Sequence, residues 1–279
     1  MLNTATLTVM TVPRVAVPAS VDRSRREPTA SDPIRSASAP SDSTRTPDAS
    51  IARRIADTMQ LIEDALAPQR RVIHAGDPIY RAGDRFGHLY LLNSGLAKVV
   101  GLSSDGREQV VGLKFRGDWI GFDGIANDRY TCDAIAMDTG EVWVIRYEDL
   151  LSACRREPSL LKVLHAAMSR EIGRDRDSLM SVCTLPAQAR VAEFLRTWAE
   201  ALACSGLRTD LFTLRLTRAE IGNYLGLTLE TVSRALSGLA CAGLIRFVEK
   251  GRREIGISSI AALAAFVRTS LAPAPDLLQ

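Results

Sequence analysis

The chain has 279 residues, five cysteines and a formal net charge of +3. This length suits one large domain, or two ordinary domains and a tail. So small a charge excess says little about a nucleic-acid partner, and the distribution of the charge matters more. No apolar run of membrane-spanning length occurs and no secretory leader is evident, so we expect a cytoplasmic protein with no membrane partner. The cysteines are scattered and never form a C-x-x-C pair, which argues against a disulfide framework and a zinc knuckle.

Composition divides the first half of the chain in two. Residues 1–50 are rich in Ser, Thr, Ala and Pro and contain no aromatic residue, so we predict a disordered N-terminal extension. Order is expected to begin with an amphipathic helix near Ile51. The rest of segment 51–157 has short apolar runs separated by glycines, which predicts an antiparallel barrel or roll. The strand candidates are His88–Leu92, Leu96–Leu102, Glu108–Leu113, Thr131–Met137 and Val142–Ile145.

A long helix is predicted from Pro158 to Cys183. Its apolar residues recur every three or four positions in one narrow seam, as in a coiled coil. We therefore predict a dimerisation helix over 158–185, in which the chain pairs with a second copy of itself. The predicted interface residues are Leu164, Met168, Ile172, Asp175 and Leu179. A second amphipathic helix follows and ends at Gly206.

Two short helices are predicted between residues 217 and 240. Thr217 and Glu220 form the pattern of a capping box at the start of the first helix. Gly226 permits a tight turn, and Thr228 caps the second helix. Leucines and a valine are expected to face inward on that second helix: Leu229, Val232, Leu236 and Leu239. Polar side chains then project outward, which is the arrangement of a helix-turn-helix.

The outward residues of the second helix have the chemistry of base recognition. Arginine can bond guanine O6 and N7 together, glutamate can accept from the cytosine amino group, and serine can bond either kind of edge. We therefore predict Glu230, Ser233 and Arg234 as base readers of double-stranded DNA. Two following strands, Leu244–Val248 and Glu254–Ile257, predict a wing with a basic tip. The predicted contacts to the DNA backbone are Thr217, Thr228, Lys250, Arg252 and Arg253.

An ordinary solvated helix pair is the competing interpretation of this segment, since amphipathic helices joined by a glycine turn are common. The segment from Thr217 to Arg234, however, closely resembles the helix-turn-helix of the CRP/FNR superfamily, specifically its FNR/FixK branch. Gly117–Ala126 resembles the sensor-domain motif of that branch, and Met168–Asp177 resembles its dimerisation helix. The resemblance covers roughly residues 51–265.

This resemblance implies an α+β fold. Its parts would be a jelly-roll-like β-roll of the cyclic-nucleotide-binding type (51–157), the dimerisation helix, a C-terminal winged helix-turn-helix (186–270) and a disordered tail (271–279). It implies a non-enzymatic homodimeric regulator, expected to be an activator that binds a TTGAT-like palindrome and recruits RNA polymerase. In that branch the E-x-x-S-R residues read the half-site, and the target genes would concern oxygen or redox metabolism.

The usual cofactors of such proteins lack their ligands here. Oxygen-sensing relatives hold a [4Fe–4S] cluster with four thiolates, but no cysteine precedes Cys132, and Trp143 stands where the roll cysteine would be. Relatives that bind cyclic AMP use a Gly-Glu and an Arg-Ser pair, whereas this chain has Asp123 without an arginine-serine partner; Arg129 could substitute. We predict no cofactor. The histidines that could ligate haem are His74, His88 and His165, and isolated histidines are usually structural.

Two functions of other classes stay open. A cupin-like metal enzyme needs clustered ligands, but only His74 and His88 fall in the roll, with no H-x-H pair. A ligand-binding module that acts through protein contacts alone would bind no palindrome. Cys241, just after the second helix, is interpreted either as a small buried apolar residue or as a redox thiol whose oxidation weakens DNA binding.

Overall fold

The protein is described by a computed structural model over residues 47–103, 106–248 and 253–271. Lys250 and Arg252 lie outside these ranges. The helices are α1 (Pro47–Leu66), α2 (Tyr147–Arg156), α3 (Pro158–Thr184), α4 (Ala187–Cys204), α5 (Arg218–Leu225), α6 (Leu229–Cys241) and α7 (Ile260–Leu271). The strands are β1 (Gln69–Ile73), β2 (Pro78–Tyr80), β3 (His88–Ser94), β4 (Ala97–Leu102), β5 (Glu108–Lys114), β6 (Trp119–Ile120), β7 (Asp133–Ala136), β8 (Gly140–Arg146), β9 (Leu211–Thr213), β10 (Ile245–Phe247) and β11 (Glu254–Ile257).

Strands β1 to β8 form a roll of two antiparallel sheets, with strand orders β1-β8-β3-β6 and β2-β7-β4-β5. Because successive strand residues point to opposite faces, β3 serves two cores. Leu89 and Leu91 pack outward with α1, α2 and the start of α3. Tyr90 and Leu92 pack into the interior of the roll. This double burial explains why β3 is apolar on both faces.

The long helix α3 is held to the roll along its first half. Glu157 caps it by accepting from the Ser159 amide, and Pro158 occupies the first turn, where no donor is needed. The side chain of Lys114, which is 4% exposed, pairs with Glu171. Asp118 pairs with Arg174 at 2.6 Å. These two ion pairs fix the rotation of α3 about its axis, and so decide which of its faces remains free.

The C-terminal part has its own core beneath a three-stranded sheet of order β10-β11-β9. Trp198 of α4, Ile221 of α5 and Leu236 of α6 are each at most 2% exposed. Leu263 of α7 is fully buried in the same cluster. Helix α4 thus supports both short helices from within this core, and the face of α6 that carries Glu230 and Arg234 is exposed.

The predicted α+β architecture and the helix bounds around residues 158–184 are confirmed, but several elements differ. Residues 47–50 belong to α1, not to a disordered extension, and Leu271 ends α7 instead of starting the tail. Strands β1, β2 and β6 and helices α2 and α7 were not predicted. In β1 only Ile73 is buried, so apolar and polar residues do not alternate along this strand as they do in a half-buried strand. Its backbone pairing with β8 defines it instead. No helix in the described ranges is both long enough and apolar enough to cross a membrane.

Candidate nucleic-acid interface

The first short helix, α5, begins with the predicted capping box. The Glu220 amide donates to Thr217 Oγ1 at 3.2 Å, and the Thr217 amide donates to Glu220 Oε2 at 2.8 Å. Gly226 ends the helix at φ +65°, a left-handed conformation that favours glycine. Gly222 was not singled out from the sequence. A Cβ at Gly222 would lie 2.5 Å from the Leu227 carbonyl oxygen, so the turn between the helices depends on this close approach.

The second short helix, α6, begins where the sequence predicts. Thr228 Oγ1 accepts from the Thr231 amide at 3.2 Å. Val232, Leu236 and Leu239 are each at most 1% exposed. Leu229, however, is 47% exposed and does not face inward. Its place in the first turn puts it beyond the core that α4 supplies, so the prediction for this residue is wrong.

The opposite face of α6 carries the three predicted base readers. Glu230 and Arg234 are exposed and Ser233 is half-buried. They lie at spacings of three and four residues and therefore share one side of the helix. A hydrogen bond from its own backbone amide and another from Thr228 lower the pKa of Glu230, so its carboxylate stays an acceptor. Arg234 Nη2 donates to Thr231 Oγ1 at 3.4 Å.

The wing lies beside α6 as an antiparallel pair, with Arg246 opposite Gly256. Arg246 and Arg253 are exposed. The guanidinium of Arg218, at the start of α5, stands over the Phe247 ring at 5.7 Å. Arg218 and Arg246 were not predicted as site residues. The sequence feature that could have identified Arg218 is its position directly after the helix cap, where a basic side chain can reach a DNA phosphate.

Two charged residues at the start of the helix-turn-helix segment, Arg215 and Glu220, contact the roll instead of solvent. Lys98 of β4 pairs with Glu220, and Arg215 lies 3.6 Å from Asp138. The Thr217 hydroxyl donates to Glu220 at 2.8 Å. Burial raises the pKa of Glu220, but the hydrogen bonds from Lys98 and Thr217 outweigh it and leave the pKa below its usual value. Thr217 therefore functions first as a helix cap.

Asn223 joins α5 to the edge of the roll. Strand β5 is the last in its sheet, so one side of its backbone lacks a ladder partner. The Val110 amide donates to Asn223 Oδ1 at 2.6 Å, and Asn223 Nδ2 donates to the Glu108 carbonyl at 2.7 Å. The side-chain amide thus pairs with β5 as another strand would, and it ties the roll to the two short helices.

The free face of α3 holds most of the predicted dimer seam. Ile172 is 50% exposed and Leu179 is 64% exposed, and Asp175 is exposed between them. Met168 is half-buried. Leu164, in contrast, is 5% exposed and packs in the core of its own roll, so as an interface residue it was placed on the wrong face. Leu161, three positions earlier on α3, is 40% exposed.

Two family models match this chain: a cyclic nucleotide-binding domain at residues 70–157 and a Crp-like helix-turn-helix domain at residues 189–266. Transcriptional regulatory protein btr of Bordetella pertussis is 34% identical over 197 residues, or 71% of this chain and 81% of that protein. The fumarate and nitrate reduction regulatory protein of Escherichia coli is 33% identical over 182 residues, or 65% of this chain and 73% of that protein.

The chain belongs to the CRP/FNR family of transcription regulators. Among solved structures, FixK2 from Bradyrhizobium japonicum is similar at 27% identity with a TM-score of 0.64, over 75% of this chain and all of that one. The relatives are transcription regulators and not enzymes. This CRP/FNR protein therefore carries a helix-turn-helix domain of a family that binds DNA and acts as dimers.

The interior of the roll does not fit the cyclic nucleotide that the domain type implies. Tyr80 and Tyr130 stack there with ring centroids 3.9 Å apart. The carboxylate of Asp123 is occupied: it accepts from the Tyr80 hydroxyl at 3.0 Å and from the Thr131 amide at 2.8 Å. Burial and then Asp123 raise the pKa of Tyr80. Arg129 donates to the Gly83 carbonyl at 2.6 Å, which ties its guanidinium to the loop between β2 and β3.

The cysteines do not fit an iron–sulfur cluster. Each lies on a different element or loop, and the described residues contain no group of three or more His, Cys, Asp or Glu side chains placed to hold a metal ion. Trp143 is 3% exposed and donates to Glu141 at 3.0 Å, so the position expected for a roll cysteine is filled by an indole. Cys241 is exposed at the end of α6, which contradicts its interpretation as a buried apolar residue.

Proposed function

We propose that this CRP/FNR protein is a sequence-specific DNA-binding regulator whose α6 enters the major groove. The carrying observation is the division of α6 into two faces. Val232, Leu236 and Leu239 anchor one face in the core, and Glu230, Ser233 and Arg234 occupy the other. A helix anchored in this way presents its polar residues with little freedom, which reduces the entropy lost on binding.

The three base readers would divide the half-site between them. The Arg234 guanidinium is suited to guanine O6 and N7, and the ionised Glu230 carboxylate is suited to the cytosine amino group. Thr228 at the start of α6 and Arg253 on the wing would contact phosphates, as would Lys250 and Arg252. Arg246 and Arg218 add two further cations beside them. Thr217 would contact the backbone only through the end of a helix that it already caps.

Pairing of two copies along α3 would create the two-fold symmetry of a palindrome. We propose that Leu161, Met168, Ile172 and Leu179 form this seam, with Asp175 facing its own copy. Two carboxylates brought together in this way oppose association. Half-sites about one helical turn apart follow from the symmetry.

The finer assignments extend the same proposal. The half-site would be TTGAT-like, and the protein would act in the cytoplasm as an activator that recruits RNA polymerase at oxygen- or redox-related genes, without an iron–sulfur cluster or cyclic nucleotide. The division into 51–157, 158–185 and 186–270 assigns input, pairing and output to separate segments. The packed Tyr80–Tyr130 stack and the occupied Asp123 support an input that does not use the roll interior.

An electrophoretic shift series tests this function. The full chain is titrated with a duplex that carries two inverted TTGAT half-sites about one helical turn apart, and with duplexes that carry one changed base pair per half-site. Direct readout predicts a loss of about 1–3 kcal/mol for each changed pair that α6 contacts. Equal affinity for all sequences would contradict it. Failure to bind any duplex would favour a module that regulates by protein contact alone.

A further inference from the structure

A cleft of about 270 Å³ lies where the roll, α3 and the DNA-binding part meet. Its wall is aromatic and comes from three elements. Phe115, just after β5, meets Trp198 of α4 edge-on at 5.4 Å between ring centroids. Phe194 lies 5.5 Å from Trp198 and 6.1 Å from Tyr224 of α5. A concave aromatic wall of this kind suits the apolar body of a small ligand.

Arg190 gives the cleft its polar end. The other arginines of the cleft are compensated: Arg174 pairs with Asp118, and Arg196 pairs with Glu193 and Glu200. Arg190 donates from Nε to the Leu185 carbonyl at 2.9 Å and from Nη1 to the Leu225 carbonyl at 3.2 Å. No carboxylate of the described residues forms an ion pair with it. The Asp177 carboxylate also lines the cleft, so an anion would be held by direct pairing with the Arg190 guanidinium, which is suited to a carboxylate, and not by a net positive charge of the cleft.

We propose that this cleft binds a small monocarboxylate with an aromatic or aliphatic body. A cavity of about 150 Å³ holds benzene, so by proportion this cleft holds about ten to twelve non-hydrogen atoms. The carboxylate pairs with Arg190 and the body lies against Phe194 and Trp198. Charge at one end and aromatic packing at the other exclude both a fully polar ligand and a hydrocarbon.

The contacts of Arg190 give the ligand a route to α6. Leu185 lies between α3 and α4, and Leu225 is the last residue of α5, directly before the Gly226 turn. A carboxylate bound to Arg190 competes with the Leu225 carbonyl for Nη1. Loss of that hydrogen bond releases the end of α5 from α4, the helix that carries Arg190. This step rests on the proposed DNA-binding function, because the Gly226 turn joins α5 directly to α6.

The cleft lies beside the proposed dimer seam. Ser181 of α3 lines it, whereas Ile172 lies on the exposed seam. These two residues are nine positions apart, or about two and a half turns, which places them on opposite sides of α3. Ser178 and Val182 also line the cleft and lie three and seven positions from Asp175, so the cleft borders the seam at this end of α3.

Calorimetry on the full chain without DNA tests the binding. The probes are 3-phenylpropionate and its uncharged amide, 3-phenylpropanamide. We expect saturable binding of the acid, at least about tenfold tighter than the amide, or roughly 1.4 kcal/mol. Arg190→Gln should abolish this preference and leave the amide affinity unchanged, and the matched control Arg155→Gln on α2 should bind as wild type.

A second variant tests the same cleft without changing Arg190, so the proposal can still be tested if Arg190→Gln does not fold. Ser181→Phe fills the cleft and should remove binding of both probes. Binding of the acid should also change the tryptophan fluorescence of the protein. Trp198→Phe should remove this change, because the other two tryptophans, Trp119 and Trp143, lie in the core of the roll. Equal affinities of acid and amide in the wild type, no saturable heat at millimolar acid, or wild-type binding in Ser181→Phe would each overturn the proposal.

The coupling is tested separately, with the palindrome duplex and saturating acid. A change in DNA affinity of about threefold or more is expected from a released α5, because coupling between sites typically amounts to 5- to 150-fold and this ligand breaks only one contact. Unchanged DNA affinity with bound acid would overturn the coupling but not the site. A chain that binds the acid and no DNA would contradict the proposed function and leave the ligand site standing.

Discussion

The outer face of α6 and the interior of the roll differ in what fills them. On α6 the polar residues Glu230, Ser233 and Arg234 point away from the core. In the roll, Tyr80 and Tyr130 stack and Asp123 is bonded internally. The polar side chains on the outer face of α6 are therefore available to a partner, whereas polar groups inside the roll bond to one another.

The largest expected effect concerns the turn between α5 and α6, which sets the orientation of α6. Gly222→Ala places a Cβ 2.5 Å from the Leu227 carbonyl, and overpacking of this kind costs about 1–3 kcal/mol. We expect a loss of about 2 kcal/mol in unfolding free energy, measured by urea titration, and weaker DNA binding. Gly173→Ala on α3 is the matched control, because nothing lies within 4 Å of its Cβ. Equal stability of the two variants would show that the turn tolerates displacement.

Removing a base reader should sharpen the distinction between the two regions. Arg234→Ala should cost about 1–3 kcal/mol of binding to the palindrome and relax the preference at one base pair. Arg253→Ala on the wing should weaken all sequences to a similar degree, because phosphate contacts carry no sequence information. The measurement is the shift series described above. Similar sequence profiles for the two variants would contradict the assignment of Arg234.

The third prediction tests whether roll and output domain are held together by Asn223. Asn223→Ala removes two hydrogen bonds to β5, and we expect about 1–2 kcal/mol less protection of the Val110 amide in hydrogen exchange. Asn93→Ala is the control, since it breaks a side-chain bond to Glu141 within the roll. Unchanged exchange at Val110 would mean that Asn223 does not hold the contact.

Dimer affinity should change in the opposite direction. Asp175→Ala removes a like charge from the proposed seam, and we expect association about tenfold tighter, or roughly 1.4 kcal/mol, in sedimentation equilibrium. Asp177→Ala makes the same charge change on the side of α3 that faces the cleft and should leave association unaltered. If both variants associate as wild type does, Asp175 does not face its copy.

The smallest effect is expected from oxidation. Cys241 is exposed at the end of α6, and its oxidation adds bulk and polarity near DNA. Peroxide should weaken palindrome binding about threefold in the wild type. Cys241→Ser should bind equally well before and after treatment, and intact binding by the treated wild type would refute the redox role.

The sequence by itself determined the local elements of this protein. The capping box at Thr217 and Glu220, the turn at Gly226 and the cap at Thr228 depend on neighbours a few residues apart, and the pattern alone predicted them. The polar face of α6 follows from the same short spacing, except at Leu229, whose burial depends on how far the core extends. A seam with a period of about 3.5 residues likewise predicted α3.

Only the tertiary structure decided which surfaces remain free. Leu164 and Ile172 belong to the same apolar repeat of α3, yet Leu164 is buried against the roll and Ile172 is exposed. The ion pairs Lys114–Glu171 and Asp118–Arg174 set the rotation of α3 that makes this difference. Glu220 pairs with Lys98 of β4 and Asn223 bonds to β5, and both contacts join segments far apart in the chain that no local pattern connects. The cleft beside Arg190 combines residues from β5, α3, α4 and α5, and no sequence spacing records such a meeting. Contacts between segments distant in the chain depend on packing, and packing is decided by the whole fold.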